Sequence, residues 1–177
     1  MKKRGQIWIS AVLYLALGVI VLTIVLSAGV PLIQKMKDKN IVTQTKNIFF
    51  TLDENVKAVV NEGPGARRYL SPFEIKAGDF YVDNETSRFL WNYTSSAKLL
   101  ETDGFVLEEG AVKLQNYQTL VEDEFIMNIA LDYSEILQFS LNSEFQNPFS
   151  GIYSLAITNT GSYTDVNKPI IEIALTG

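Results

Sequence analysis

The sequence predicts an α+β chain, in which a long N-terminal hydrophobic helix continues as an amphipathic one and is followed by an antiparallel β-rich, sandwich-like head. Three observations predict it. Gly5 to Gln34 runs thirty residues without a charge, beyond the roughly 20 apolar residues that cross a hydrocarbon core about 30 Å thick. From Ile41 to Val59 apolar residues return at helical spacing. From Arg67 onward, short runs rich in Tyr, Phe, Val, Ile and Thr are broken by Gly, Asn and Asp about every ten residues, which are strand and turn signals. The expected organisation is a basic leader at 1–5, a transmembrane or assembly helix at 6–34, an amphipathic extension packing on the head at 35–62, and an extracytoplasmic head at 63–177.

Lys2, Lys3 and Arg4 stand directly before the apolar run and argue for a cytoplasmic N-terminus, although Lys35, Lys37 and Lys39 lie on the other flank. Trp8 and Tyr14 suit the headgroup level near the inner face. Small residues such as Gly18 recur along the run, and Thr23 with Ser27 has the spacing that lets helices approach closely. Pro31 is expected to kink the helix or to start a second one.

Beyond it, Ile41, Thr45, Ile48, Leu52, Val56 and Val59 form one apolar stripe, widened by Phe49, Phe50 and Val60. Lys46, Asp53, Glu54 and Lys57 fall largely between. Asn61-Glu62-Gly63-Pro64-Gly65 is a helix terminator, so the reading is one helix over 7–61.

Strands are expected at 68–75, 79–83, 88–94, 104–108, 111–120, 124–133, 136–141, 152–159 and 169–175. The best alternation sets Phe125, Met127, Ile129 and Leu131 against Ile126, Asn128, Ala130 and Asp132. Hairpin turns are expected at Lys76-Ala77-Gly78, Asp83-Asn84-Glu85-Thr86 and Asn159-Thr160-Gly161. Pro169 is tolerable as the first residue of the last strand.

Composition narrows the function classes. The chain has no cysteine and no histidine, which removes disulfides, thiolate nucleophiles, the commonest metal ligand and the usual base near neutral pH. Residues 1–40 carry six Lys or Arg against one acid, a balance of +5, whereas the rest carries nine against nineteen, a balance of −10. An acidic domain of that kind repels phosphate backbones, so no nucleic-acid partner is expected. No small-molecule substrate, cofactor or metal is evident.

The opening of the chain admits three readings. A cleaved secretory signal would use Ser27 and Gly29 as its small-residue site, but the run exceeds the ~7–15 apolar residues of such signals. A plain anchor helix is the second. The third starts from Lys3-Arg4-Gly5-Gln6, with a basic cluster and a glycine immediately ahead of the apolar run. That arrangement resembles the class III signal of archaeal and bacterial type IV pilins, and the resemblance covers roughly the first sixty residues. It implies cleavage by a prepilin peptidase between Gly5 and Gln6 and retention of the helix on the mature protein, with Ile7 to Ile33 as the assembly surface. Bacterial pilins carry glutamate at the fifth mature position, where this chain has Ser10.

Carboxylates cluster at Glu101 with Asp103, Glu108 with Glu109, and Glu122-Asp123-Glu124. Such pairs serve glycoside hydrolysis or calcium binding elsewhere, but none has calcium-loop spacing, and solvated turns account for them. Arg67-Arg68 suits either an acidic patch on a neighbouring subunit or an exposed strand start, and Trp91 suits core or sheet-face packing. Asn84-Glu85-Thr86 and Asn92-Tyr93-Thr94 are N-glycosylation sequons, with Asn84 the better candidate because it lies in an expected turn. The expected function is therefore non-catalytic: a pilin-like subunit of a type IV pilus-like filament or secretion pseudopilus, partnered by membrane, prepilin peptidase and other pilins. The alternative is a permanently anchored monomeric β-sandwich, similar in plan to archaellum-stator subunits.

Overall fold

The computed structural model describes residues 3–101, 104–142, 145 and 147–176, with the side chains of 3–7 and 176 excepted. Lys2 and Asp103 lie outside the described residues, as do the side chains of Lys3, Arg4 and Gln6. Among the described residues one helix, α1 (Lys3–Glu62), is followed by eight strands: β1 (Arg67–Asp83), β2 (Arg88–Ser95), β3 (Val106–Glu109), β4 (Val112–Gln118), β5 (Phe125–Asp132), β6 (Gln138–Leu141), β7 (Phe149–Tyr163) and β8 (Pro169–Thr176). The chain separates into two compact units, Met1–Asp38 and Lys39–Gly177.

In the first unit, α1 passes through Pro31 without ending. The single helix read over 7–61 is present, and of the two alternatives at Pro31 a second helix start does not occur. Proline removes one helical hydrogen bond, the one that the Ser27 carbonyl would accept. Thr23 and Ser27 spend their hydroxyls inside the helix, donating to the carbonyls of Val19 and Ile24 at 2.8 and 2.9 Å.

The second unit begins with the amphipathic part of α1. Its buried positions are Val42, Thr45, Phe49, Leu52, Val56 and Val59, spaced by three or four, with Asp53 buried beside Leu52. Ile41 and Ile48, assigned to the stripe from sequence, are only half-buried. Gly63 ends the helix with φ +88°, the left-handed geometry that a residue without Cβ adopts at no steric cost.

All eight strands hydrogen-bond into one sheet of order β3-β4-β5-β2-β1-β7-β8-β6. Among the described residues every pairing is antiparallel, as expected of the head, except β6 with β8, which is parallel. Connectivity forces the sheet to curl. If it were flat, β5 and β6 would lie five strand spacings apart, about 24 Å at ~4.8 Å each. Only 133–137 link them, and six residue steps reach at most about 22 Å even fully extended. The β6 end therefore folds back toward β5 and β2, and contacts across the core show it: Phe89 of β2 meets Phe139 of β6 at 4.7 Å between ring centroids, and the Phe139 amide donates to Ser87 Oγ at 3.0 Å. The sandwich-like head is thus one curled sheet, not two separate ones.

Two expected turns are not turns. Lys76-Ala77-Gly78 and Asn159-Thr160-Gly161 are irregularities inside the long strands β1 and β7, where the register shifts between Ile75 and Phe80 and between Asn159 and Tyr163. Gly78 has φ +77°, and a Cβ there would meet the Asn92 carbonyl at 2.4 Å and the Trp91 ring at 2.7 Å. The glycine marks a bulge over a packed tryptophan. The expected turn at Asp83–Thr86 does form, at 84–87.

The core runs between the sheet and residues 42–59 of α1. Phe49 packs edge-on against Phe80 of β1 at 5.7 Å, and Phe73, Phe80 and Phe149 form a cluster with centroids 4.9–5.8 Å apart. The alternation read in β5 is present, with Met127, Ile129 and Leu131 all at 0% exposure.

Candidate functional surfaces: the apolar helix and the outer face of the sheet

In the first unit the large apolar side chains of residues 8–36 of α1 are exposed. Trp8 is 75% exposed, Leu15 72%, Leu22 58% and Leu32 61%, and large apolar side chains are open on every side of the helix. A surface helix of a water-soluble domain confines such residues to one stripe. Here the whole circumference is apolar, and the helix is long and apolar enough to cross a membrane. Gly18 and Gly29 have open space where a Cβ would stand.

Head and helix are fastened within the second unit by a buried polar contact that the sequence did not reveal. Asp53, read as a solvent-facing charge, is 8% exposed. Tyr133 donates its hydroxyl to Asp53 Oδ1 at 2.9 Å, and Lys57 Nζ lies 2.6 Å from Oδ2. Burial first, and then the adjacent Asp53 carboxylate, push the Tyr133 phenol far above its ordinary value. Lys46 adds an ion pair to Glu109 at 2.8 Å, and Asn159 Nδ2 donates to the Val59 carbonyl at 3.5 Å. No local signal ties Asp53 to Tyr133 eighty residues away.

Among the described residues the clustered carboxylates make separate contacts. Glu101 pairs with Lys98 at 3.1 Å, Glu109 with Lys46, and Glu108, Glu122 and Asp123 are exposed. Among the described residues no group of three or more acids is placed to hold a metal ion. Arg67 and Arg68 begin β1 in solvent. Arg68 pairs with Glu62 of its own chain, and the Arg67 guanidinium lies 4.6 Å from the centre of the Tyr69 ring. Trp91 is fully buried, donates Nε1–H to the Ala77 carbonyl at 2.9 Å and stacks on Tyr93.

The two sequon asparagines differ. Asn84 is exposed in the β1–β2 turn, which Asp83 closes by accepting from the amides of Glu85 and Thr86 at 2.9 and 3.1 Å. The Thr86 hydroxyl, the strongest influence, helps hold the Asp83 carboxyl below its usual range. Asn92 is half-buried in β2 and accepts from Asn128 Nδ2 at 2.6 Å. Both line one open hollow of about 490 Å³ together with Tyr81, Leu90 and Asn147. Asn147 is committed to the backbone: its amide group exchanges two hydrogen bonds with Val82, at 2.9 and 2.7 Å.

Nearby on the same face, Asp132 is pulled two ways. Burial raises its carboxyl, but hydrogen bonds from Ser134 and Arg88 outweigh it and hold the group below the ordinary range.

The chain matches no model of a known protein family, no curated protein and no solved structure.

Proposed function

We propose that this chain is a non-catalytic, pilin-like subunit of a type IV pilus-like surface filament or secretion pseudopilus, held in the membrane by its N-terminal helix before assembly. The observation that carries the reading is the apolar surface exposed all round residues 8–36. In water that surface is costly at about 25 cal/mol per Å², so it belongs in lipid or against other helices. A filament uses the same surface twice, first dissolved in the bilayer and then packed against neighbouring copies. The basic cluster with Gly5-Gln6 ahead of the run favours this over a simple tether, because it fits cleavage by a prepilin peptidase. Lys2, Lys3 and Arg4 favour a cytoplasmic N-terminus, which sets the acidic head outside, where Asn84 is the candidate glycan carrier.

The test is the N-terminal sequence of the protein isolated from its native membrane and surface fractions. A mature chain beginning at Gln6, recovered in sheared filaments, is the expected result. A chain that keeps Met1 to Gly5 and remains monomeric in the membrane overturns the filament reading and leaves a permanent anchor of the archaellum-stator kind. A soluble globule lacking the helix overturns both.

A further inference from the structure

The outer face of the sheet, across β1, β2, β5 and β4, carries an ordered array that neither core packing nor the filament reading uses. Strand register sets Asn92 beside Asn128 and Asn128 beside Gln115, so three carboxamides stand in a row across the strands. The next row on one side holds Tyr81, Leu90, Ala130 and Lys113, and the next on the other holds Thr94, Ile126 and Tyr117. Their neighbours along each strand, Phe80, Trp91, Ile129 and Leu114, are buried in the core, which fixes this array on the solvent side.

Two hollows of about 490 and 500 Å³ open on this face and share Asn92 as a common wall. Volumes of that order suit small organic ligands. Asn92, which lines both hollows, spends its oxygen on Asn128 Nδ2 at 2.6 Å, and each of the two carboxamides has further donor and acceptor capacity beyond that bond. Asp79, Asp83 and Glu85 line the hollows, whereas Lys113 lines neither, so the carboxylates there repel anions.

From this we infer that the outer face binds a neutral oligosaccharide carried by another molecule. Vicinal sugar hydroxyls present paired donors and acceptors that match a carboxamide row. The C–H faces of sugar rings match Tyr81 with Leu90 on one flank and Tyr117 with Ile126 on the other. Two hollows meeting at Asn92 accommodate an extended chain better than a single sugar. The rim acids exclude uronic acids and other anionic sugars. The inference does not rest on filament assembly, since an anchored monomer would present the same face.

The experiment uses the full chain in lipid nanodiscs, produced without N-glycans, and titrates it by calorimetry with neutral tetrasaccharides built from glucose, mannose or N-acetylglucosamine. An oligogalacturonate serves as the anionic control. Binding of at least one neutral tetrasaccharide, none of the oligogalacturonate, and about tenfold weaker binding for Asn128→Ala are expected. Because Asn128 also bonds across the sheet, Tyr81→Ala is the second variant, and it weakens binding while the melting temperature stays within a few degrees of the parent. Failure of every neutral tetrasaccharide to bind overturns the inference. So does equal binding of the oligogalacturonate, or unchanged affinity in both variants.

Discussion

Residues 8–36 and 42–59 belong to the same helix and are both rich in large apolar side chains, yet these side chains meet opposite fates. In the first stretch Trp8, Leu15, Leu22 and Leu32 are all more than half exposed; in the second, Phe49, Leu52, Val56 and Val59 are at 0%. The difference lies in angular distribution, not in hydrophobic content. A stripe is satisfied by one partner, the curled sheet of the same chain. A fully apolar circumference needs an environment that surrounds it, which one small head cannot supply.

The largest break in this comparison is a deletion. Removing residues 1–34 is expected to move the protein entirely from the detergent-extracted membrane fraction into the aqueous one, with far-UV circular dichroism and cooperative melting retained. A truncated chain that aggregates would mean that the second unit also relies on the first. Next in size is a matched pair of substitutions. Phe49→Ala is expected to destabilise the head by about 3–5 kcal/mol in urea unfolding, whereas Leu22→Ala leaves the same transition unmoved.

The sequence disclosed these two halves because each announces itself locally, one by uninterrupted hydrophobicity and the other by three- and four-residue spacing. It disclosed the alternation of β5 for the same reason. It did not disclose what depends on distant partners. Gly78 is an ambiguous signal, since a left-handed glycine serves a turn or a bulge equally, and the choice is made by Trp91 packing against it. The parallel placement of β6 against β8 follows from chain crossings that no window of residues contains. Of the candidate surfaces, the apolar helix was legible in full. The outer-face array was not, because the row Asn92, Asn128 and Gln115 exists only once strand register is known.

Asp53 sharpens the contrast, for it is a charge inside the stripe. Tyr133→Phe removes the hydroxyl that donates to it and is expected to cost about 1–3 kcal/mol, the usual penalty for a buried acceptor losing a partner. The same variant has a signature in pH. The phenol titrates higher in the folded head than in the unfolded chain, so its contribution is complete below the unfolded value near pH ~10 and is lost as pH rises beyond it. Parent protein should therefore lose stability in alkali with a steeper slope than Tyr133→Phe, measured by urea midpoints at successive pH values.

The smallest effect is expected at the β1–β2 turn. Asp83 titrates below its ordinary value, so what it adds is present above the unfolded carboxylate value near pH ~4 and is lost as pH falls through the folded one. Thr86→Ala removes the strongest cause of that depression and should cost about 0.5 kcal/mol or less at neutral pH. Its acid limb should be shallower than the parent's, measured by the same midpoints below pH ~4.

The sheet ends in two very short strands, β3 and β6, of four residues each. A foreign polypeptide approaching either margin finds only a few free backbone groups to bond, too few to seed a growing ribbon. The margins of the sheet are thereby protected against runaway cross-β growth, even though Val106 and Leu107 are greasy and open on the outer strand.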